Sequence, residues 1–426
     1  MGRDILKQDK KLVWHPFTPL QGVADNLVVT SAEGSYLITE DGRKILDGVS
    51  SWWVNLHGHS HPLISKAIAE QSAKLEHVIF AGFTHEPAVE LAKNLLSILP
   101  DNQKKVFYSD NGSTAVEVGI KMAIQYWYNK KSNRKKIIAI DGAYHGDTFG
   151  AMSVGERSIF TSPFTNYLFQ VEFVDFPFPE KEKTVFEHFC TMIDSEEISA
   201  FIFEPLIQGA SGMRMYSAKM LDKMIGYAQS KDVICIADEV MTGFGRTGSL
   251  FASDHLNHKP DVICLSKGIT GGALPLGATS CNQRIVEAFQ SNDLKEAFLH
   301  GHSYTANPMA CAAANASFDL LTSENCIESI KRISDQHDSF RKRLKHPRVK
   351  DVRCKGVVLA VEFETDEDSS YLSELRNRIY PFFLERNILL RPLGNLIYVL
   401  PPYVITNEEL GSIYKAIEEF LDTIET

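Results

Sequence analysis

The sequence predicts an α/β protein: a mostly parallel central sheet flanked by helices, with a smaller α+β domain assembled from both ends of the chain. Three observations carry this reading. The middle of the chain alternates short apolar or β-branched runs with segments of helical length, the pattern of strands joined by crossover helices. Several of those runs end on a carboxylate or lead into a lysine. Toward both termini the pattern gives way to turn-rich, hairpin-like segments. The expected division is 1–60 and 311–426 for the smaller domain and 61–310 for the larger.

The strand candidates in the middle are Lys136–Ile140, Ala200–Glu204, Val233–Asp238 and Val262–Leu265. In a parallel sheet, ligands gather at the carboxyl ends of the strands. Glu204 and Asp238 close two of these runs, and Lys267 follows a third. Such residues add little to packing there, so their convergence predicts a site. Residues 1–60 are rich in glycine and aromatics, with a turn signal at Glu40-Asp41-Gly42. Beyond about residue 310 the charge density rises, and Val357–Glu364 and Leu396–Leu400 read as hairpin strands. The last segment places Leu410, Ile413, Ile417, Leu421 and Ile424 on one helical face behind a Thr406-x-x-Glu409 capping box.

Composition narrows the function classes. With 426 residues, 44% of them hydrophobic, the chain can bury cores for two or three structural units. A net charge of -10 disfavours nucleic acid as a partner, and the basic cluster Arg134-Lys135-Lys136 reads as a solvated turn. The cysteines number seven, lie far apart and form no C-x-x-C, which fits free thiols in a reducing compartment. No apolar signal region and no apolar run of about 18 residues occurs, so a soluble cytoplasmic protein without a membrane partner is expected.

The motifs follow in chain order. Asp110-Asn-Gly-Ser-Thr114 precedes a helix whose apolar face is Val116, Ile120, Ala123 and Trp127, with Thr114-x-x-Glu117 as a possible capping box. A helix start with free amides, Gly112 and the Ser113 hydroxyl suits a phosphate. In Asp141-Gly-Ala-Tyr-His-Gly146, Tyr144 can cover a flat ring. Asp238 ends a buried strand, where a carboxylate can keep a pyridinium nitrogen protonated. Lys267, just past a strand and beside glycines, suits covalent attachment of a carbonyl, because desolvation lowers its pKa. Gly243-Phe-Gly-Arg-Thr-Gly248 matches G-x-G-x-x-G but lacks the strand, helix and distant acid of a dinucleotide site, so a surface loop is expected. His57, His59 and His61 read as solvated or backbone-bonded, with no metal site. Alone, each motif also fits a plain structural role. Their succession on adjacent strand–helix units points to pyridoxal chemistry.

Asp238–Gly248 (DEVMTGFGRTG), Ser266-Lys267-Gly268 and His300–Pro308 (HGHSYTANP) together resemble the class III aminotransferases. The likeness spans nearly the whole chain. It implies pyridoxal phosphate fold type I, pyridoxal 5′-phosphate as cofactor, small-molecule substrates and a homodimer. By that resemblance Lys267 forms the Schiff base and moves the proton between the substrate Cα and C4′. Asp238 binds the pyridine nitrogen, Gly112 and Ser113 bind the phosphate, Tyr144 stacks on the ring, and Glu204 joins the cofactor site. His302 and Ser303 reach the phosphate of the neighbouring subunit.

Within the family, Trp14–Thr18 (WHPFT), Asp47–Trp53 (DGVSSWW), Arg391–Gly394 (RPLG) and Tyr398 resemble a branch acting in biotin synthesis. The likeness implies that Trp52 and Trp53 wall an apolar pocket and Arg391 clamps a carboxylate. Phe17, Tyr144, Lys267, Gly301 and Tyr398 complete the substrate set. The implied reaction carries the amino group of S-adenosylmethionine to 8-amino-7-oxononanoate. Phe17 stands where that branch usually has Tyr, as in relatives that use lysine, so lysine stays open as donor. An ornithine- or 4-aminobutyrate-type aminotransferase and a pyridoxal-binding regulatory protein are the other readings. The tandem tryptophans speak against the first, and retention of Lys267 and Asp238 against the second.

Overall fold

A computed structural model describes residues 2–364 and 375–423. Its strands are β1 (Val29–Glu33), β2 (Tyr36–Thr39), β3 (Lys44–Asp47), β4 (Gln103–Ser109), β5 (Lys136–Ile140), β6 (Glu172–Val174), β7 (Ile198–Phe203), β8 (Ile207–Gln208), β9 (Arg214–Met215), β10 (Ile234–Asp238), β11 (Val262–Leu265), β12 (Gly277–Asn282), β13 (Val349–Lys355), β14 (Val358–Phe363), β15 (Ile388–Leu389) and β16 (Leu396–Val399). The central sheet has seven strands in the order β4-β12-β11-β10-β7-β5-β6. Neighbours from β11 to β6 run parallel, and β12 runs against both β11 and β4. The mostly parallel sheet is therefore present, with one reversed strand inside it.

The parallel strands form because their interiors are apolar: Ile234–Ala237 and Val262–Leu265 are wholly buried. Strands covered by helices on both faces need no polar alternation. Residues of the helix Gly112–Asn129 pack on one face with Ile236, Val262 and Cys264, while Cys235, Ile263 and Leu265 point into the larger core on the other. Gly119 of that helix lets it settle on the sheet, since a Cβ there would stand 2.9 Å from Cys264 Sγ.

The chain's two ends meet in a four-stranded sheet, β1-β2-β3-β15, in which β15 lies parallel to β3. A separate sheet, β13-β14-β16, has Val358–Val361 and Ile397–Val399 buried. The last helix, Asn407–Asp422, opens on the expected Thr406/Glu409 capping box. Its Leu410, Ile413, Ile417 and Leu421 are buried, and Ile424 lies outside the described residues.

Four local expectations change. The helix at Gly112 is capped by Asn111, whose side chain accepts from Thr114 N while Thr114 returns a bond to the cap; Thr114 is thus the third helical residue, not the cap. Glu117 is freed to accept from Thr148 Oγ1, Gly150 N and Ala151 N. Residues 243–247 of the 243–248 loop are buried, not at the surface, and only Gly248 is exposed, because Arg246 (1% exposed) binds the carbonyls of Trp53, Asn55 and Pro401. Of the alternating histidines, His57 contacts Ser317 Oγ and His59 contacts Asp47, so both have side-chain partners. Lys136 begins β5 paired to Glu172 and Glu197, and Arg134 lies over the Trp127 ring, so this basic cluster is anchored. The cysteines are all unpaired, as expected. Among the described residues no cluster could hold a metal ion, and no helix is long and apolar enough to cross a membrane.

Candidate active site

Because β11, β10, β7 and β5 are adjacent and parallel, their carboxyl ends share one edge of the sheet. Asp238 is the last residue of β10, Glu204 follows β7, Lys267 lies just past β11, and Tyr144 sits in the turn after β5. The Asp238 carboxylate is buried; one oxygen accepts from Val240 N at 3.0 Å and the other lies 2.7 Å from His145 Nδ1. Glu204 accepts from Tyr144 N and Gly209 N, each at 2.9 Å. The Tyr144 hydroxyl donates to Asp147 at 3.0 Å. Lys267 Nζ stands 4.9 Å from the centre of the Trp53 ring. Among the described residues it has no hydrogen-bond or ion-pair partner.

Burial governs the electrostatics. Desolvation lowers the Lys267 pKa against the pull of Asp238 and Glu204, with Arg246 lowering it further. The Glu204 carboxyl is pushed up to about 7, first by burial; His145 opposes this and Asp238 adds to it. The Tyr144 phenol rises through burial and then through Asp147, so it stays a neutral donor.

At the other end of this edge the helix Gly112–Asn129 begins. The amides of Gly112 and Ser113 precede its internal ladder and are available to an anion. Space here is tight. A Cβ on Gly112 would lie 2.8 Å from Val240 Cγ1, and one on Gly146 would lie 2.1 Å from Ser113 Oγ. Ser113 Oγ also accepts from Asp147 N at 3.2 Å.

Facing Lys267 is a wall of aromatics. Trp53 is buried beside Tyr398, ring centres 5.9 Å apart. Trp52 is half-exposed and carries the Arg391 guanidinium 4.5 Å over its ring. Phe17 meets Trp52 edge-on at 5.7 Å. The structure thus gathers Lys267, Asp238, Glu204, Tyr144, Trp53 and Tyr398, and sets Trp52, Arg391 and Phe17 alongside. His302 lies beside the turn that leads into the Gly112 helix, 3.5 Å from Asp110 and 3.2 Å from His300. Gly301 and Ser303 are exposed beside it, with no bond to the cluster among the described residues.

Sequence reasoning missed His145, Asp147, Gly146 and the network under the tryptophans. His145 was the readable one: it adjoins Tyr144 in a turn already marked as part of the site.

The model of the family described as "Aminotransferase class-III" matches residues 21–421. The chain belongs to the class III aminotransferases. Among curated relatives, adenosylmethionine-8-amino-7-oxononanoate aminotransferase of Synechococcus elongatus is 48% identical, covering 97% of this chain and 99% of that one. The enzyme of that name from Staphylococcus aureus is 37% identical over 99% of this chain and 98% of its own. Among solved structures, the enzyme of that name from Methanocaldococcus jannaschii aligns with a TM-score of 0.92 at 36% identity, covering all of both chains. An amine transaminase from an uncultivated Pseudomonas species, solved with pyridoxal phosphate bound, gives 0.89 at 30% identity, covering 96% of this chain and 97% of that one.

Class III aminotransferases depend on pyridoxal 5′-phosphate, and the residues of this site fit it. An amine without a partner, a buried carboxylate backed by a histidine, and a glycine-lined helix start all lie on one sheet edge. The buried His145 Nε2 and Trp53 Nε1 have no partner among the described residues.

Proposed function

We propose that this aminotransferase moves the amino group of S-adenosylmethionine to 8-amino-7-oxononanoate, giving 7,8-diaminononanoate for biotin synthesis. The observation that carries this is Arg391. Its guanidinium has no ion-pair partner among the described residues and lies on Trp52, alongside the chamber that holds the Lys267 amine. Such a site offers one planar cation for a carboxylate and a broad aromatic wall for an alkyl chain or an adenosyl ring. The full-length likeness to enzymes of that name supports the same substrates.

Bound pyridoxal 5′-phosphate supplies a reactive aldehyde and a ring that withdraws electrons from the substrate. The protein's residues do the rest. Gly112 and Ser113 would hold the phosphate, and Tyr144 would lie against the ring. Glu204 fixes the Tyr144 turn from below through its backbone amide. Asp238, oriented by His145, would pair with the ring nitrogen and hold its proton. Lys267 would hold the cofactor covalently and is the base placed to take the proton from the donor Cα; burial lowers its pKa, which favours the neutral amine that this task needs. Trp53, Tyr398 and Phe17 exclude water around the chain of the acceptor, and Gly301, on the exposed loop with His302 and Ser303, would serve the substrate of the partner's site. His302 and Ser303 complete the phosphate site of the partner in a homodimer. The free cysteines support work in the cytoplasm.

The test is direct. Purified protein is incubated with 8-amino-7-oxononanoate and either S-adenosylmethionine or lysine, and diaminononanoate is measured. Product with S-adenosylmethionine is expected. Product with lysine alone would move the donor, and consumption of ornithine or 4-aminobutyrate with no diaminononanoate would overturn the acceptor.

A further inference from the structure

Ser50, Ser51, Trp52 and Trp53 wind one turn in the left-handed sense, with φ of 51°, 45°, 71° and 76°. The turn is hydrogen-bonded as a helix is: Trp53 N donates to Val49 O at 2.8 Å and Val54 N to Ser50 O at 2.9 Å. None of the residues in it is glycine, and side chains of L-residues crowd the backbone in this conformation. The turn must therefore be held from outside. Asp47 does this at one end: its carboxylate, fully buried, accepts from Val49 N at 3.1 Å and Ser51 Oγ at 2.8 Å and faces His59 Nε2 at 2.9 Å. Ser50 Oγ donates to Leu400 O at 2.7 Å on the far side. The product of this turn is that adjacent tryptophans face two different parts of one chamber. Trp52 lies under Arg391 and against Phe17, whereas Trp53 lies against Lys267 and Tyr398.

We propose that Asp47 is a positioning residue for acceptor specificity: its carboxylate holds the left-handed turn that sets Trp52 and Trp53 as the walls of the substrate chamber. It acts through the turn and touches no substrate. The part that concerns the acceptor rests on the proposed reading of the chamber.

Ser51 allows a clean test. Ser51→Ala and Ser51→Gly both delete the hydroxyl that Asp47 holds, but only glycine removes the crowding at φ 45°. Ser51→Ala is expected to raise KM for 8-amino-7-oxononanoate about five- to tenfold, the worth of about one buried hydrogen bond, with kcat little changed. It should also alter the near-UV circular dichroism of the cofactor-free protein, where the tryptophans report. Ser51→Gly should leave both near wild type. Asp47→Asn should shift both further, and adding Ser51→Gly to it should recover most of the loss. Equal behaviour of the Ala and Gly variants, or an Asp47→Asn protein with unchanged KM and spectrum, would overturn the proposal. Should Asp47→Asn not fold, the Ser51 pair decides alone. If wild-type protein ignores 8-amino-7-oxononanoate, the acceptor reading fails, while the spectra of the cofactor-free variants still decide the role of Asp47.

Discussion

At the scale of single residues, the site keeps ionisable groups where burial works against their charge. Lys267 is the sharpest case, an amine with aromatic neighbours and no bonded partner among the described residues. Lys267→Ala is expected to lower transamination by about 10⁴-fold or more, since on the proposed reading it removes both the attachment point and the base. Thermal unfolding of the cofactor-free variant should stay close to wild type, because no bond of the fold depends on this amine. Near wild-type turnover would remove Lys267 from the mechanism. Glu204 makes a different, pH-dependent prediction. Its folded pKa of about 7 stands above the unfolded carboxyl value, so between about pH 4.5 and 7 the folded state binds the extra proton. Stability from this group is complete below that window and is lost as pH rises through 7, by on the order of 3 kcal/mol in the cofactor-free protein. Glu204→Gln, which cannot ionise, should flatten the fall. Urea unfolding at pH 5 and pH 8 on both proteins checks it, and equal slopes would show that the Glu204 carboxyl ionises freely in the fold.

At the scale of elements, legibility in the sequence followed how each piece is stabilised. β5, β10 and β11 are readable because burial on both faces demands unbroken apolar runs. β12 is not, since Gly277–Asn282 is small and polar; it is buried all the same because Thr279 Oγ1 donates to Ala115 O and Ser280 Oγ to Gln103 Oε1. Lys267, Asp238, Glu204 and Tyr144 were legible because charged or hydroxyl groups at strand ends have poor packing value. The left-handed turn at Ser50–Trp53 was not, because serine and tryptophan carry no local preference for it and, beside Asp47, its restraints come from distant Leu400 and from Arg246, which binds Trp53 O. The Asn111 cap was missed because Thr114 also has a hydroxyl, and only the backbone shows which one begins the helix. Between β5 and that helix, Gly146 packs tightly against Ser113, with φ 127° and no room for a Cβ. Gly146→Ala should push Ser113 out of the phosphate seat and cost about 1–3 kcal/mol of stability from the strained backbone alone. Titration of the cofactor-free protein with pyridoxal 5′-phosphate should show at least about tenfold weaker binding, the loss of about one charge-assisted hydrogen bond. Unchanged affinity would place the phosphate away from Ser113.

At the scale of the whole molecule, the buried elements account for one half of the proposed site and leave the other half exposed. Ser303 is exposed, as are Leu299 and Tyr304 near it and Phe83 and Ile79 on other segments. Large apolar groups left in water suit an interface. If the 300–304 loop completes the partner's phosphate site, each active site draws Lys267 from one subunit and Ser303 from the other. This arrangement can be separated from a loop that serves its own subunit. Ser303→Ala alone should weaken cofactor binding by about tenfold or more, a charge-assisted hydrogen bond to phosphate. Lys267→Ala alone should be inactive. Unfolding and refolding the two variants together gives mixed dimers. In these, one site combines Lys267 of the Ser303→Ala subunit with Ser303 of the Lys267→Ala subunit, so it is wholly native. The mixture should therefore recover high-affinity, active sites that neither parent has, at cofactor concentrations too low to fill the Ser303→Ala sites. If the loop serves its own subunit, every site with Lys267 lacks Ser303 and nothing is recovered. Sedimentation must show dimers for the recovery to count, and a fully active monomer would remove the shared site altogether.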